Sequence, residues 1–410
     1  MKYRLRAFAL GSAVVLGAAT GHAQSTEPAP PTAGRAPETV VAAKAATEPK
    51  SDSSFIDTAR EWAKNTRIVE RIEGDVDGWY PRLSGMTRGG GFTIGPGYRT
   101  HVLGNRVFLD VSAAMTPRLY RAVDVHARWL QAWSERAELW TDYRYQFYPQ
   151  EDFFGVGPTT TPDMRTSYAL RGSDFVLRGQ VKPVAWLRLN AKLGYSTPRI
   201  GAGRDREFPS IEQLFADTSA PGLASQPDFI HSELAATIDF RDVPGNPRAG
   251  TLYRVAYSFW NDRTLDTYNF QRFESLATQY VPLTASRTHV VSGRVGVTFV
   301  NNAPGDRVPF YALPYVGGID TVRSFREFRF KDENALWFGA EYQWTPIKWA
   351  SGVLFTDFGQ VAHNWQDISA DLKSGYGFGF RAHTSKQTFA QLDFGFGGGE
   401  GWRAFLRLGL

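Results

Sequence analysis

From about residue 78 to the C-terminus, apolar and polar positions alternate with a period of two. Over 120–130, Val123, Val125, Ala127 and Trp129 share one face and Asp124, His126 and Arg128 the other. Over 136–148, Ala137, Leu139, Tyr143, Tyr145 and Phe147 oppose Glu138, Asp142, Arg144 and Gln146. The pattern returns at 186–196, where Leu187, Leu189, Ala191, Leu193 and Tyr195 oppose Arg188, Asn190 and Lys192, and at 250–260, where Tyr253, Val255, Tyr257 and Phe259 oppose Arg254 and Ser258. Over 371–381, Tyr376, Phe378 and Phe380 oppose Gly375, Gly377, Gly379 and Arg381. A strand places successive side chains on opposite faces, so each segment has one apolar and one polar face.

A soluble sandwich would alternate too, but three features favour a membrane barrel. The apolar faces are aromatic-rich along their whole length, the polar faces carry charge mid-strand, and the connectors alternate short and long. Short ones include 182–185, 282–285 and 345–348; long ones span about 149–167, 200–228, 302–334 and 362–371. Fifteen strands fit between about 89 and 410, and loop parity calls for one more within 78–86. The expectation is an all-β transmembrane antiparallel barrel of about sixteen strands, an even number that closes the sheet and removes its edges. In the last strand, Trp402, Ala404, Leu406, Leu408 and Leu410 face outward and Arg403 and Arg407 inward, suited to close against the first strand.

The N-terminus reads differently. Residues 1–6 are basic, 7–19 form a short apolar core, and Gly21-His22-Ala23 is a small-x-Ala site, which makes 1–23 a secretory signal. Residues 24–54, rich in Ala, Pro, Ser, Thr and Glu, read as a disordered periplasmic linker. Within 55–77, Phe55, Ile56, Ala59, Trp62 and Ala63 recur at helical spacing, which predicts a short amphipathic helix over 55–72, resting on the barrel rim or disordered, or else plugging the pore, followed by a lead-in. The barrel then occupies 78–410.

Composition narrows the function. Of 410 residues, 42% are hydrophobic and 14% aromatic, with 40 glycines and no cysteine, while mean hydropathy stays at −0.32. That excludes a disulfide scaffold, Cys-ligated metal sites and a polytopic helical membrane protein. The formal charge is +5, but loss of Lys2, Arg4 and Arg6 with the signal leaves 43 basic against 41 acidic residues, and no basic run suits nucleic acid.

Four ordered motifs carry more. D-F-R-D-V-P-G-N-P-R-A-G at 239–250 sets Asp239 and Arg241 at a strand end facing inward, with Asp242, Pro244, Gly245, Asn246, Pro247 and Gly250 making a tight, ladder-free reversal. The long loop contains G-G-I-D-T-V-R-S-F-R-E-F-R-F-K at 317–331. G-A-E-Y-Q-W at 339–344 and F-T-D-F-G at 355–359 put Glu341 and Gln343 on one inner face and Phe355, Asp357 and Gly359 on the next. Together they resemble the BamA/TamA superfamily of outer-membrane barrels, the bacterial surface antigen family, over about residues 78–410. The resemblance implies a loop folded back into the barrel with its tip at Val322-Arg323-Ser324-Phe325, where the family has Gly at the Ser324 position. It further implies that Arg323 reaches in to pair with Glu341 or Asp357. A carboxylate pair on adjacent strands suits a bidentate guanidinium, and Gly339 and Gly359 leave room beside it. If the tip needs φ > 0, Ser324 introduces strain. Family members usually carry POTRA domains before the barrel; residues 24–77, short and mostly low in complexity, are not expected to form one.

No catalytic chemistry stands out. G-x-S-x-G and H-E-x-x-H are absent. Six histidines remain after processing without ligand spacing, and His126 beside Asp124 reads as an inner-wall polar residue. G-F-G-G-G-E-G at 395–401 follows a strand without a helix after it, so it reads as a hairpin loop. The chain is not expected to be an enzyme or to hold a cofactor or metal. It is expected as a single barrel in outer-membrane lipid of a Gram-negative-type bacterium, with a polypeptide client or a separate periplasmic partner. One reading is a factor that moves or inserts polypeptide or lipid, its loop locked by the Arg–carboxylate cluster. The alternative is a passive or weakly anion-selective pore. For the pore, the inward Arg144, Arg178, Lys182, Arg188, Lys192, Arg254, Arg294, Arg381, Arg403 and Arg407 outnumber the inward acids. A purely structural barrel is the third.

Overall fold

The structure is a computed structural model that describes residues 77–83, 86, 92–134 and 136–408. The expected signal, linker and 55–72 helix lie outside the described residues. The strands are β1 (Gly78–Arg82), β2 (Gly95–Val102), β3 (Val107–Met115), β4 (Arg121–Ser134), β5 (Ala137–Phe153), β6 (Thr166–Val184), β7 (Leu187–Ser196), β8 (Arg199–Ala202), β9 (Phe229–Asp239) and β10 (Gly250–Asp262). They continue as β11 (Phe270–Pro282), β12 (His289–Asn302), β13 (Tyr315–Val316), β14 (Phe330–Lys331), β15 (Asn334–Ile347), β16 (Ala350–Ala362), β17 (Lys373–His383), β18 (Thr388–Phe396) and β19 (Arg403–Leu408).

β8 continues β7 along the far part of β6, and β13 and β14 form a separate two-stranded ribbon. The other sixteen strands make one antiparallel meander, each paired with the next, with β9 taking its place beside β7 and β15 beside β12. Period-two alternation sets what each face shows. Tyr376, Phe378 and Phe380 of β17, with Leu406 of β19, stand exposed on the outer surface, while Arg381 of the same β17 and Asp357 and Asp393 on its two neighbours are buried inside. Register shifts fall beside four short turns, at Trp129/Ser134, Val181/Val184, Trp344/Ile347 and Ala382/His383, where a strand must bend to reverse.

The expected closure of the sheet needs correction. Among the described residues, β1 pairs only with β2 and β19 only with β18, so the two ends of the meander do not pair. Both strands are short, five and six residues. β1 also contains Pro81, which has no N–H to give a second neighbour.

At the end opposite the short turns, two long loops make an apolar cap. Phe153 and Tyr168 from β5 and β6 pack with Ile211, Phe215 and Ala220 of the 203–228 loop and Phe310 of the 303–333 loop. Phe310 donates its N–H to Pro221 O at 2.8 Å, and Arg307 pairs with Asp217 at 2.9 Å. From there the 303–333 loop descends into the barrel.

Candidate functional site

The descending loop is held together by its own residues. Gly318 N–H bonds Val322 O, Gly317 N–H bonds Thr321 Oγ1, and Glu327 accepts Ile319 N–H at 3.0 Å. Val316, Val322, Phe325 and Phe330 pack on Ala335 of β15 and Val361 of β16. This fixes the tip, Val322 to Phe325, against the inner wall.

Arg323 lies at the centre, 1% exposed, with Asp357 and Asp393 at 0%. Its Nε and Nη2 donate to the two oxygens of Asp357 at 2.7 and 2.8 Å. Nη1 donates to Glu341 at 2.5 Å and to Asp393 at 3.2 Å, and the guanidinium lies 3.5 Å over the Phe355 ring. Burial alone would lower the Arg323 pKa, but the charges of Glu341, Asp357 and Asp393 outweigh it and hold the group above its ordinary range. Two further guanidiniums balance the carboxylates. Arg294 donates to Asp357 at 3.0 Å and to the backbone oxygens of Asp320 and Thr321; Arg381 pairs with Asp393. Three bases therefore face three acids, which lets such a cluster be buried at all.

The wall accommodates the tip through missing side chains. A Cβ on Gly395 would stand 2.0 Å from Arg323 O, and one on Gly375 2.3 Å from Ser324 Oγ. Gly339 borders Asp357, and Gly359 borders Val322. Ser324 is fully buried, donates to Ser374 O at 3.2 Å and is absent from the residues with positive φ, so the strain expected of it does not arise; Gly375 makes the space instead. A second arginine ties the loop to the β5–β6 and β18–β19 connectors: Arg329, also 1% exposed, donates to Glu400 at 2.6 Å and to Thr160 Oγ1 and O at 2.9 and 2.7 Å.

The turn motif is a separate assembly. Arg241 grips Asp239 with two bonds of 2.9 Å, and Arg188 reaches Asp239 from β7 at 3.0 Å. Asp242 accepts the N–H groups of Val243, Arg248 and Ala249 and pairs with Arg287 at 2.8 Å. Pro247 follows Asn246 at the apex, and Gly250, at φ +100°, opens β10. The reversal is broader than a tight turn, because residues 240–249 project across the mouth.

Sequence reasoning missed Asp393, the partner roles of Arg294 and Arg381, and Arg329 with Glu400. A signal for Asp393 was present: the tripeptide Asp-Phe-Gly occurs at 357–359 and again at 393–395, and both aspartates contact Arg323. His126, on the inner face with Asp124, bonds Asp142 directly across the strands at 2.5 Å, while Asp124 holds Arg82 and Arg144. The inward bases are paired with acids of the wall and the loop. Arg178 pairs with Asp142, Lys182 with Glu138, Lys192 and Arg254 with Glu233, and Arg407 with Asp320. Acids are shared, since Glu233 takes both Lys192 and Arg254, Asp239 both Arg188 and Arg241, and Asp124 both Arg82 and Arg144, so pairing screens the basic excess without removing it.

A model of the Omp85 superfamily domain matches residues 189–401. The match begins on β7 and runs past the loop, Asp393 and Gly395, covering just over half of the chain. The chain belongs to the Omp85 superfamily. Among solved structures, this Omp85 barrel is similar to BamA from Haemophilus ducreyi lacking POTRA domains 1–3, at 12% identity and a TM-score of 0.59, over 80% of this chain and 68% of that one. It is also similar to CdiB from Escherichia coli, at 11% identity and a TM-score of 0.53, over 80% of this chain and 61% of CdiB. At these identities the likeness is one of fold. No curated protein matches by sequence. Family and fold together place this Omp85 barrel in the outer membrane of a Gram-negative bacterium.

Proposed function

We propose that this barrel moves or inserts polypeptide, or lipid, at the outer membrane through a lumen gated by the 303–333 loop. Arg323, held by Asp357, Asp393 and Glu341, is the catch. Membership of a superfamily that includes assembly and translocation barrels supports the class of activity. The observation that carries the gating is the complete burial of a charged loop tip. A guanidinium and the carboxylates of Asp357 and Asp393 leave water at a cost of several kcal/mol per ion, and only full pairing offsets it, with Glu341 at the edge of the cluster. Such a contact is all-or-none: a tip displaced by one bond length strands charges, so the loop has a docked and an undocked state with little between. That suits an element that opens for a client. A passive pore gains nothing from filling its own lumen this way.

The test is genetic and proteomic. In a deletion strain of the source bacterium, the native chain should restore one or more outer-membrane or secreted polypeptides that Arg323→Ala does not restore. An unchanged surface proteome, with uptake of small hydrophilic solutes lost on deletion and regained with either chain, would overturn this reading and support a pore.

A further inference from the structure

The loop is not the only element that crosses the lumen. The 240–249 turn joins β9 to β10, yet it bonds to the hairpin between β17 and β18, on the far side of the mouth. Thr388 N–H donates to Gly245 O at 2.9 Å, and Asn246 Nδ2 donates to Thr384 O at 2.8 Å. Arg248 Nη1 donates to Thr345 Oγ1 at 2.5 Å. The approach is close enough that a Cβ on Gly245 would stand 2.5 Å from Lys386 O. This is the end with the short turns, the periplasmic end of an outer-membrane barrel. Between this turn and the 303–333 loop lies a chamber of about 810 Å³, with Gly245, Asn246 and Pro247 at one end and Pro314, Ile319 and Asp320 at the other.

The anchor for this crossing is His383, 3% exposed. Both its ring nitrogens face donors: Nε2 is 3.3 Å from Arg248 Nη2, and Nδ1 is 3.3 Å from Asn246 Nδ2. Ser351 Oγ at 2.7 Å from Nε2 and Thr384 O at 3.1 Å from Nδ1 accept whichever proton a neutral ring carries. A neutral ring accepts from one of the two donors through its single bare nitrogen; an imidazolium has none, so that bond is lost and a positive charge is set beside the Arg248 guanidinium. The charged group facing the ring is Arg248; Asp242, next along the turn, is committed to Arg287 and three backbone amides.

We propose that the 240–249 turn is a gate over the periplasmic mouth of this chamber, shut by its bonds to the 383–388 hairpin while His383 is neutral and released when the ring is protonated. Burial and the facing Arg248 guanidinium oppose protonation of this ring, so the trigger is acid below histidine's ordinary range near pH 6.5. The gate is independent of the loop catch, which closes the other end.

The chain has no cysteine, so one can be placed in the chamber at Ser292, which lines it. The probe is a charged, membrane-impermeant methanethiosulfonate reagent on the folded barrel in detergent. At neutral pH, Asn246→Ala with Arg248→Ala should speed labelling by about tenfold or more, as expected when several hydrogen bonds holding one state are lost. Gly245→Val, which pushes the turn off the hairpin sterically, should do the same and serves if the double variant does not fold. Lowering the pH to about 5.5 should speed labelling in the native background relative to His383→Gln, whose neutral amide cannot take up a proton. Unchanged labelling in folded strap variants, or equal acid responses in native and His383→Gln barrels, would overturn the proposal. Because the loop stays native throughout, its failure would leave the loop reading untouched.

Discussion

Removing the Arg323 side chain is the most direct perturbation of the catch. Arg323→Ala deletes four side-chain hydrogen bonds to carboxylates and leaves Glu341, Asp357 and Asp393 facing only Arg294 and Arg381. Hydrogen bonds to charged groups contribute about 1.5–3 kcal/mol each, but their sum overstates the loss, since the two remaining arginines and a bound proton can partly compensate. Breaking a buried ion pair by removing one partner costs about 3–5 kcal/mol, the better guide here. On the docked state of the loop this raises the undocked population by about two to four orders of magnitude. Limited trypsin digestion of the folded barrel reads that population, because cleavage tracks the open state when opening and closing are fast. Arg326, Arg329 and Lys331 remain as cleavage sites in the variant loop. Arg323→Lys should be intermediate, retaining the charge but not the bidentate fork. Asp357→Asn added to Arg323→Ala should slow cleavage again by removing the stranded charge. If the folded Arg323→Ala barrel is cleaved within 303–333 no faster than the native one, the cluster does not hold the loop.

Three further outcomes follow from the same geometry. Gly395→Ala places a methyl group against Arg323 O, so the loop should dock less well by about 1–3 kcal/mol, seen as faster tryptic cleavage without change at Arg323 itself. Arg329→Ala frees Glu400 and Thr160 and should expose the outer part of the loop to protease while the Val322–Phe325 tip stays protected; loss of protection at both sites would mean the two anchors act as one. Burial, opposed by Glu151, pushes the Lys331 ammonium down to about 8 from 10.5. Between those values the undocked loop binds more protons than the docked one, so docking should strengthen as pH rises from about 8 to 10.5. Lys331→Met should flatten that slope in protease protection measured at pH 8 and 10.

Much of the architecture was legible because strand geometry is local. Alternation at period two marks each strand and its outward face from neighbouring residues alone, as at Tyr376, Phe378 and Phe380, and loop lengths give its parity. The family resemblance of the ordered motifs implied that Arg323 meets Glu341 or Asp357. What alternation cannot give is the partner across the sheet, since that depends on which residues the register sets side by side. It was the fold that joined His126 to Asp142, set Lys192 and Arg254 on one Glu233, and placed Asp393, Arg294 and Arg381 around Arg323. It also put Gly395 under the loop tip and carried the 240–249 turn to His383, contacts between residues 72 and more than 130 positions apart. The ends of the sheet belong to the same class. The sequence by itself determined an even-numbered, lipid-facing meander; whether β1 meets β19 turns on the backbone hydrogen bonds of two short strands, one carrying a proline, and only the tertiary structure could decide it.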